Sequence, residues 1–497
     1  MISMANLSSS DTINEEELSH APGRISNGSI DIQPHTDSRP GEQCNSRIGT
    51  GVITHDAADN DQEKLEIKTQ SREASVPNGS PPGAPPGAPP GAPLDGGSRA
   101  WCTVAGAFCG MFVSFGWISC IGVFIDYYKT HQLRDIDTSA ITWITSLEYF
   151  LMFFGGPFVG VLFDNFGPRW ILLIGSFFHI FGLMMTSISS KYYQFLLAQG
   201  VCSPIGTSAL FHGCLNSVST WFRRRRALAL GITVAGSGFG GIVFPIMVTR
   251  IIPALDFGWA MRICAFASLF LLVITNITTR SRLEHKRKKP LCHPLDFFRP
   301  LREVPFVLTS AGTFFLYWGL FLPFAFIPTQ AQRYGMSTYL ASYLLAILNA
   351  GSVFGRIIPP YIADHIGRFN TMILTTIVSI ILVLALWLPS RTNATAITFA
   401  VLYGFSGGSA VSLAPALIAQ ISDIREIGVR SGTYFAISAF AALTGTPIAG
   451  ALLPEPLSGS YLGVELFCAA TMGVGVVLYI LARGVVPQGG WGFRVKV

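Results

Sequence analysis

Beyond its first hundred residues the chain is a succession of apolar runs, each about twenty residues long, separated by short polar turns. About 20 apolar residues in a helix cross the roughly 30 Å hydrocarbon core of a bilayer. Twelve such runs can be placed, near 101–128, 138–162, 169–189, 193–217, 227–250, 258–278, 306–328, 338–359, 369–389, 395–419, 430–453 and 459–482. Hydrocarbon offers backbone N–H and C=O groups no partner, so each isolated run must be a helix. The composition points the same way, with 50% of residues hydrophobic and 12% charged, where an ordinary soluble domain has about a quarter charged. The expected fold class is an all-α membrane protein with twelve transmembrane helices.

Residues 1–99 are polar and lack apolar periodicity, so they are expected to be a disordered tail. Within it Pro81–Pro93 repeats with a period of four, PPGAPPGAPPGAP, and reads as a semi-rigid spacer of about 40 Å at about 3.1 Å per residue. No apolar core followed by a small-residue cleavage site opens the chain, so the first span is expected to serve as its own insertion signal. The one long connection, 280–305, separates a six-helix bundle at 100–279 from a second at 306–483, with a short tail at 484–497. If the N-terminus is cytosolic, nineteen Lys and Arg residues fall in inner loops and the C-tail against seven in outer loops. The positive-inside rule then puts both termini in the cytosol. On that topology the sequons at Asn6, Asn27 and Asn78 never meet the glycosylation machinery, and Asn393 sits in a tight outer turn, so no glycan is expected. The formal charge of +6 is scattered over loop ends, which fits bilayer orientation and gives no sign of a nucleic-acid partner. The cysteines within the apolar runs show no paired spacing and read as packing residues.

The turn after span two reads GVLFDNFGPRW from Gly160, and the turn after span eight reads YIADHIGRFN from Tyr361. Asp164 then lies over Asp364 and Gly167 over Gly367, two hundred residues apart, with Arg169 and Arg368 beside the glycines. Matching loops imply internal duplication. An aspartate at a helix end suits the positive N-terminus of a neighbouring helix, so the pair is expected to latch the halves on one face, with Arg356 part of the same cluster. These loops resemble the cytosolic signature of the major facilitator superfamily, G-x-x-x-D-x-x-G-x-R. Asp95-Gly-Gly before span one and TWFRRRRALALGITVAGSGFGG from Thr220 are similar to the monocarboxylate porter family, in its fungal branch. The resemblance covers nearly all of residues 94–483 and implies a secondary transporter working by alternating access. It also implies that the arginine run before span five anchors the cytosolic face, and that the glycines of span five allow close helix contact, with Gly351 and Gly355 of span eight as the expected packing partner. Animal members that move short carboxylates look built around a lysine in span one and an Asp and Arg one turn apart in span eight. Here span one has no buried lysine, Asn349 and Val353 stand at the other two positions, and Arg356 lies lower. Lactate-like proton symport is therefore not expected.

Ionisable groups at membrane depth are functional candidates by default. Glu148, near the middle of span two and expected to border the central cavity, is the first, as a proton carrier or as a hydrogen-bonded structural group. His212 in span four is a coupling candidate because the ordinary pKa of histidine lies near neutral, while His179 in span three is expected to be a packing residue. Tyr317, Trp318 and Asn349 lie on spans that line the cavity in this architecture and offer stacking and hydrogen bonds to an organic solute. Gly236-Ser-Gly238-Phe-Gly-Gly241 lacks the strand and acidic residue of a dinucleotide site, and Gly404-Phe-Ser406-Gly-Gly408 lies within an apolar helix, so neither supports catalysis.

No catalytic residue, metal site or cofactor is expected. The partners expected are the bilayer, a small organic solute and protons. The solute is a monocarboxylate-like anion or a fungal secondary metabolite, the latter implying efflux linked to a biosynthetic pathway. The alternatives are uptake of a carboxylate or vitamin-like nutrient, and a non-transporting sensor. A multi-pass protein of the plasma membrane, or of the vacuolar or another endomembrane, follows. A reporter fused after Val497 is expected on the cytosolic side of intact cells; its appearance outside would overturn the orientation.

Overall fold

The computed structural model describes residues 95–283, 297–453 and 460–486. Residues 1–94 of the expected tail, with the spacer and three sequons, the middle of the inter-bundle loop, and the last residues of the C-tail lie outside them. All described regular elements are helical. The first half contains α1 (Ser98–Thr130), α2 (Ala140–Phe166), α3 (Pro168–Ser187), α5 (Arg226–Ala254) and α6 (Phe257–Thr278), with α4 over 192–219. The second contains α7 (Val304–Arg333), α8 (Thr338–Ile366), α9 (Arg368–Trp387), α10 (Asn393–Gln420), α11 (Ile424–Ala451) and α12 (Leu462–Val485).

Eleven of these helices are long and apolar enough to cross a membrane. The remaining one, α4, is continuous through a π-helical turn at Leu196–Cys202, and its buried Gln199, Ser203, Thr207, His212 and Asn216 make it less apolar. Large exposed side chains such as Phe177, Phe270, Trp170 and Ile277 point outward, where only lipid can accept them. The helices that run furthest beyond the apolar stretches that announce them are α7, to Arg333, and α8, to Ile366. Backbone hydrogen bonding continues past the point where hydrocarbon ends, which an apolarity reading does not detect.

The halves meet along α2 against α11 and along α5 against α8 and α10. In the six-helix repeat α2 corresponds to α8 and α5 to α11, so both seams are one contact used twice. Glycines make the approach possible. A Cβ on Gly160 would fall inside contact distance of the Gly428 carbonyl, and one on Gly432 would do the same to Gly156. On α5 the glycines divide between two faces: Gly236 and Gly240 lie against Phe108 and Phe112 of α1, Gly231 and Gly238 lie against α8, and Gly241 sits between Ser119 of α1 and Asn349 of α8. The G-x-G-x-x-G string is thus a two-sided packing surface. Gly351 and Gly355 correct the expectation made for them: they face Val401 and Phe405 of α10, not α5. Gly404 and Gly408 of α10 return that contact against Leu348 and Ser352.

Helix α8 breaks after Gly355, just ahead of Pro359 and Pro360. Each proline removes an N–H and crowds the carbonyl four residues back. The Arg356 carbonyl is so released from the helix ladder and lies against Gly231. Gly432→Ala, with its Cβ driven into the α2 backbone, is expected to destabilise the purified chain by about 1–3 kcal/mol, read as a lower melting temperature. Gly473→Ala, where a Cβ meets nothing within 4 Å, is the control and should leave it unchanged.

Candidate functional site

The loops at 167, 220–226, 280–283, 367 and 421–426 share one face, which carries Arg223–Arg226, Arg368 and Arg425 and is here termed the basic face. Two carboxylates cross between the halves there. Asp164 of α2 accepts hydrogen bonds from the backbone N–H groups of Gly428 and Val429, both at 2.9 Å, at the start of α11. Asp364 of α8 accepts from Ala227 at 3.1 Å and Leu228 at 2.9 Å, at the start of α5. A helix N-terminus leaves such donors unpaired and carries a partial positive charge, so each aspartate satisfies both at once. Gly167 and Gly367 allow the turns that aim them, with φ of 75° and 106°.

The arginines of the motif are not equivalent. Arg368 pairs with Asp364 at 3.0 Å and donates to the Arg223 carbonyl at 2.9 Å, whereas Arg169 is exposed and makes no ion pair among the described residues. Arg226 donates to the Ala419 carbonyl of α10 at 2.5 Å. Asp95, singled out only for family likeness, accepts from the N–H groups of Arg223, Arg224 and Arg225 at 2.7, 2.5 and 3.3 Å. The α4–α5 turn is thus held by one carboxylate from each half. Arg430 at the foot of α11 pairs with Glu303.

Above the latch the centre is filled with rings. Phe115 (α1), Phe153 (α2), Phe211 (α4), Tyr317 (α7) and Phe435 (α11) pack with centroids 5.1–6.4 Å apart. Among them stands Arg356. Its guanidinium is 6.0 Å from the Phe115 ring and donates to Ser237 Oγ at 2.7 Å and the Val234 carbonyl at 3.3 Å across the seam. The residue is 2% exposed, its Nε has no partner, and no carboxylate pairs with it among the described residues. Arg356 therefore belongs to the centre as well as to the latch: its carbonyl closes the seam while its side chain reaches the rings. Val353, at the position the resemblance gave to an arginine, packs under Gly238.

Of the other sequence candidates, Tyr317 faces this centre, 5.3 Å from Phe321. Asn349 sits in the α5–α8 seam, donating to the Gly241 carbonyl at 3.4 Å. His212 lies nearer the basic face, stacked edge-on to Phe435 at 5.6 Å and beside Gly156, where α2 and α11 cross. Trp318 corrects the expectation: it packs on Phe467 of α12 at 5.3 Å, inside the second half. Glu148 also turns away from the centre, because consecutive helical residues diverge by about 100° and Tyr149 takes the facing position toward Phe321. Its Oε2 accepts from Gln199 Nε2 at 3.2 Å, and Gln199 Oε1 accepts from Tyr128 at 2.6 Å. His179 bonds Ser203 at 2.9 Å within the first half. A second buried carboxyl, Glu465 of α12, accepts from Gln330 at 2.7 Å; its signal in the sequence was an acidic residue a few positions inside an apolar run. Among the described residues no group of three His, Cys, Asp or Glu is arranged to hold a metal ion.

The family model described as Major Facilitator Superfamily matches residues 106–446. An MFS-type transporter of Gibberella moniliformis is 46% identical over 431 residues, 87% of this chain and 98% of that protein. The fujikurins efflux protein of Gibberella fujikuroi is 42% identical over 393 residues, 78% of this chain and 83% of that one. The crystal structure of the human organic anion transporter MFSD10 superposes with a TM-score of 0.62, covering 77% of this chain and 99% of that one. At 15% identity that likeness carries the fold alone.

Neutralising one cap, in Asp364→Asn or Asp164→Asn, is expected to weaken closure of the basic face by about 1–2 kcal/mol, a factor of about 5 to 30 in the closed-to-open ratio. A cysteine replacing Ser431, which bonds Asn216 across the seam at 2.7 Å, reports it: labelling by a hydrophilic thiol reagent from the basic side should speed up in either variant.

Proposed function

Since the chain belongs to the major facilitator superfamily, we propose that it is an exporter of an amphiphilic organic anion, a fungal secondary metabolite in chemical class, working by alternating access. The observation that carries this reading is Arg356. A buried charge without a counterion is expensive, and the expense falls when an anion occupies the same site. The surrounding rings offer that anion an apolar and aromatic body contact, the usual composition of an organic-ligand site. The monocarboxylate-porter likeness of Asp95-Gly-Gly and of the Thr220 stretch supports the same substrate charge. The direction is supported by relatives whose names record efflux of fungal metabolites.

In this reading the basic face is cytosolic, both termini lie in the cytosol, and the plasma membrane is the site of action. The reciprocal aspartate caps hold the cytosolic side shut while the anion leaves outward. Their release lets α5 and α11 part from α8 and α2, so that Arg356 meets the cytosol. Uptake of a carboxylate nutrient through the same site is the second reading, separated from the first by the direction of net flux.

Counter-flow of amphiphilic carboxylic acids into vesicles holding the purified chain tests the proposal. Arg356→Gln is expected to weaken anion recognition by about 1.5–3 kcal/mol, about 10- to 150-fold in affinity, and Arg356→Lys by less. Equal flux of an acid and its neutral alcohol analogue, or an unaffected Arg356→Gln variant, would contradict it.

A further inference from the structure

The exporter reading leaves Glu148 unused, and the geometry around it is specific. The carboxyl is 0% exposed near the middle of α2. Its Oε2 is held by Gln199, which Tyr128 holds in turn, and its Oε1 is buried with no partner. Gln199 reaches it because α4 widens there into the π-helical turn Leu196–Cys202, and because Gly200 lets that turn approach α2: a Cβ on Gly200 would lie 3.2 Å from the Ile144 carbonyl, one helical turn before Glu148. π-turns inside α-helices concentrate at functional sites.

The helices packed on this part of α2 supply no cation to it. Helix α1 presents Cys120 and Tyr128, with Tyr127 and His131 further out. Helix α4 presents Gln199, with Tyr192 bonded to the Ala140 carbonyl at 3.0 Å above it and His212 below. Helix α11 brings Arg425, Glu426, Arg430 and Tyr434, all nearer the basic face, where Arg430 is taken by Glu303 and Glu426 by Arg299. Among the described residues, then, the ionised carboxyl has hydrogen-bond support on one oxygen and nothing on the other. Dry and unpaired, such a charge carries its desolvation cost in full, and one bound proton removes it.

We infer that Glu148 is the proton-binding site that couples this carrier to a proton gradient, with Gln199 and Tyr128 as positioning residues. The inference rests on the exporter reading. With the basic face closed, a hydronium ion from the opposite side yields one proton to Oε1: the O–H bond to Glu148 forms as that of the hydronium breaks, leaving water. When the halves rock, that O–H bond breaks as a cytosolic water takes the proton to form hydronium, and the carboxylate is restored. One proton moves inward as the anion site turns outward, and no other bond changes.

The test needs no organic substrate, because protons themselves are the probe. Spin labels on the two halves at the basic face of the full chain, in lipid nanodiscs, report the closed-to-open ratio as pH is varied. The wild type should change that ratio with pH, by up to ~10-fold per unit for one linked proton. Glu148→Gln should abolish the response, and Glu465→Gln, altering the other buried carboxyl, should keep it. Gln199→Ala and Tyr128→Phe should move the midpoint while leaving the melting temperature close to wild type, which a purely structural role would not do. A folded Glu148→Gln variant with the wild-type pH response, or a wild type with none, overturns the inference. The companion infrared measurement guards against a misfolded variant: wild type should show a protonated-carboxyl band titrating with the distance change, and a band that never titrates overturns the inference without any mutant. Failure here with anion counter-flow intact leaves the exporter reading standing; a normal pH response with no anion flux removes the exporter reading instead.

Discussion

Four backbone N–H groups and two carboxylates hold the basic face together. The starts of α5 and α11 cannot satisfy their own first donors, and in each case the missing acceptor comes from the opposite half: Asp364 for Ala227 and Leu228, Asp164 for Gly428 and Val429. A contact of this kind is strong while dry and nearly neutral once water can replace either partner. It therefore behaves as a two-position device, and a carrier needs such a device on each side of its substrate site. The glycine crossings serve it: without Gly156, Gly160, Gly428 and Gly432 the backbones of α2 and α11 could not come close enough for the Asp164 carboxylate to reach its donors.

The buried charges are compensated in different ways. Asp364 has both a helix N-terminus and Arg368. Glu465 has Gln330. Arg356 has two oxygen acceptors and an aromatic face but no carboxylate among the described residues. Glu148 has one amide. Ranked this way, the latch groups are the best satisfied, and Arg356 at the centre and Glu148 inside the first half the least, which fits a molecule whose gate is built to rest closed and whose under-compensated charges are placed to receive a counterion or a proton.

Much of this was legible from residue order, for physical reasons. Hydrocarbon thickness dictates helix length, so the spans could be read from apolarity alone, with errors only where helices such as α7 and α8 run on into water. The aspartates could be paired because duplication placed them at matching turns. Facing directions were hidden: Glu148 and Tyr149 are neighbours in sequence, and nothing in their order says which meets the other half. Trp318 and Tyr317 pose the same ambiguity, which resolved the opposite way for each. Gln199 carries no charge, yet an amide two turns into α4, the least apolar of the twelve helices, was a usable signal. The contact between Asp95 and the arginine turn joins residues about 130 positions apart, and only the family likeness brought the two segments together.

Amide hydrogen exchange at the helix starts, measured on the full chain in lipid, tests the reciprocal caps most directly. The account predicts that Ala227, Leu228, Gly428 and Val429 are protected and exchange together, with one common opening rate, because both caps break in a single movement of one half against the other. Exchange as fast as in exposed loops, or one pair exchanging freely while the other stays protected, would contradict it.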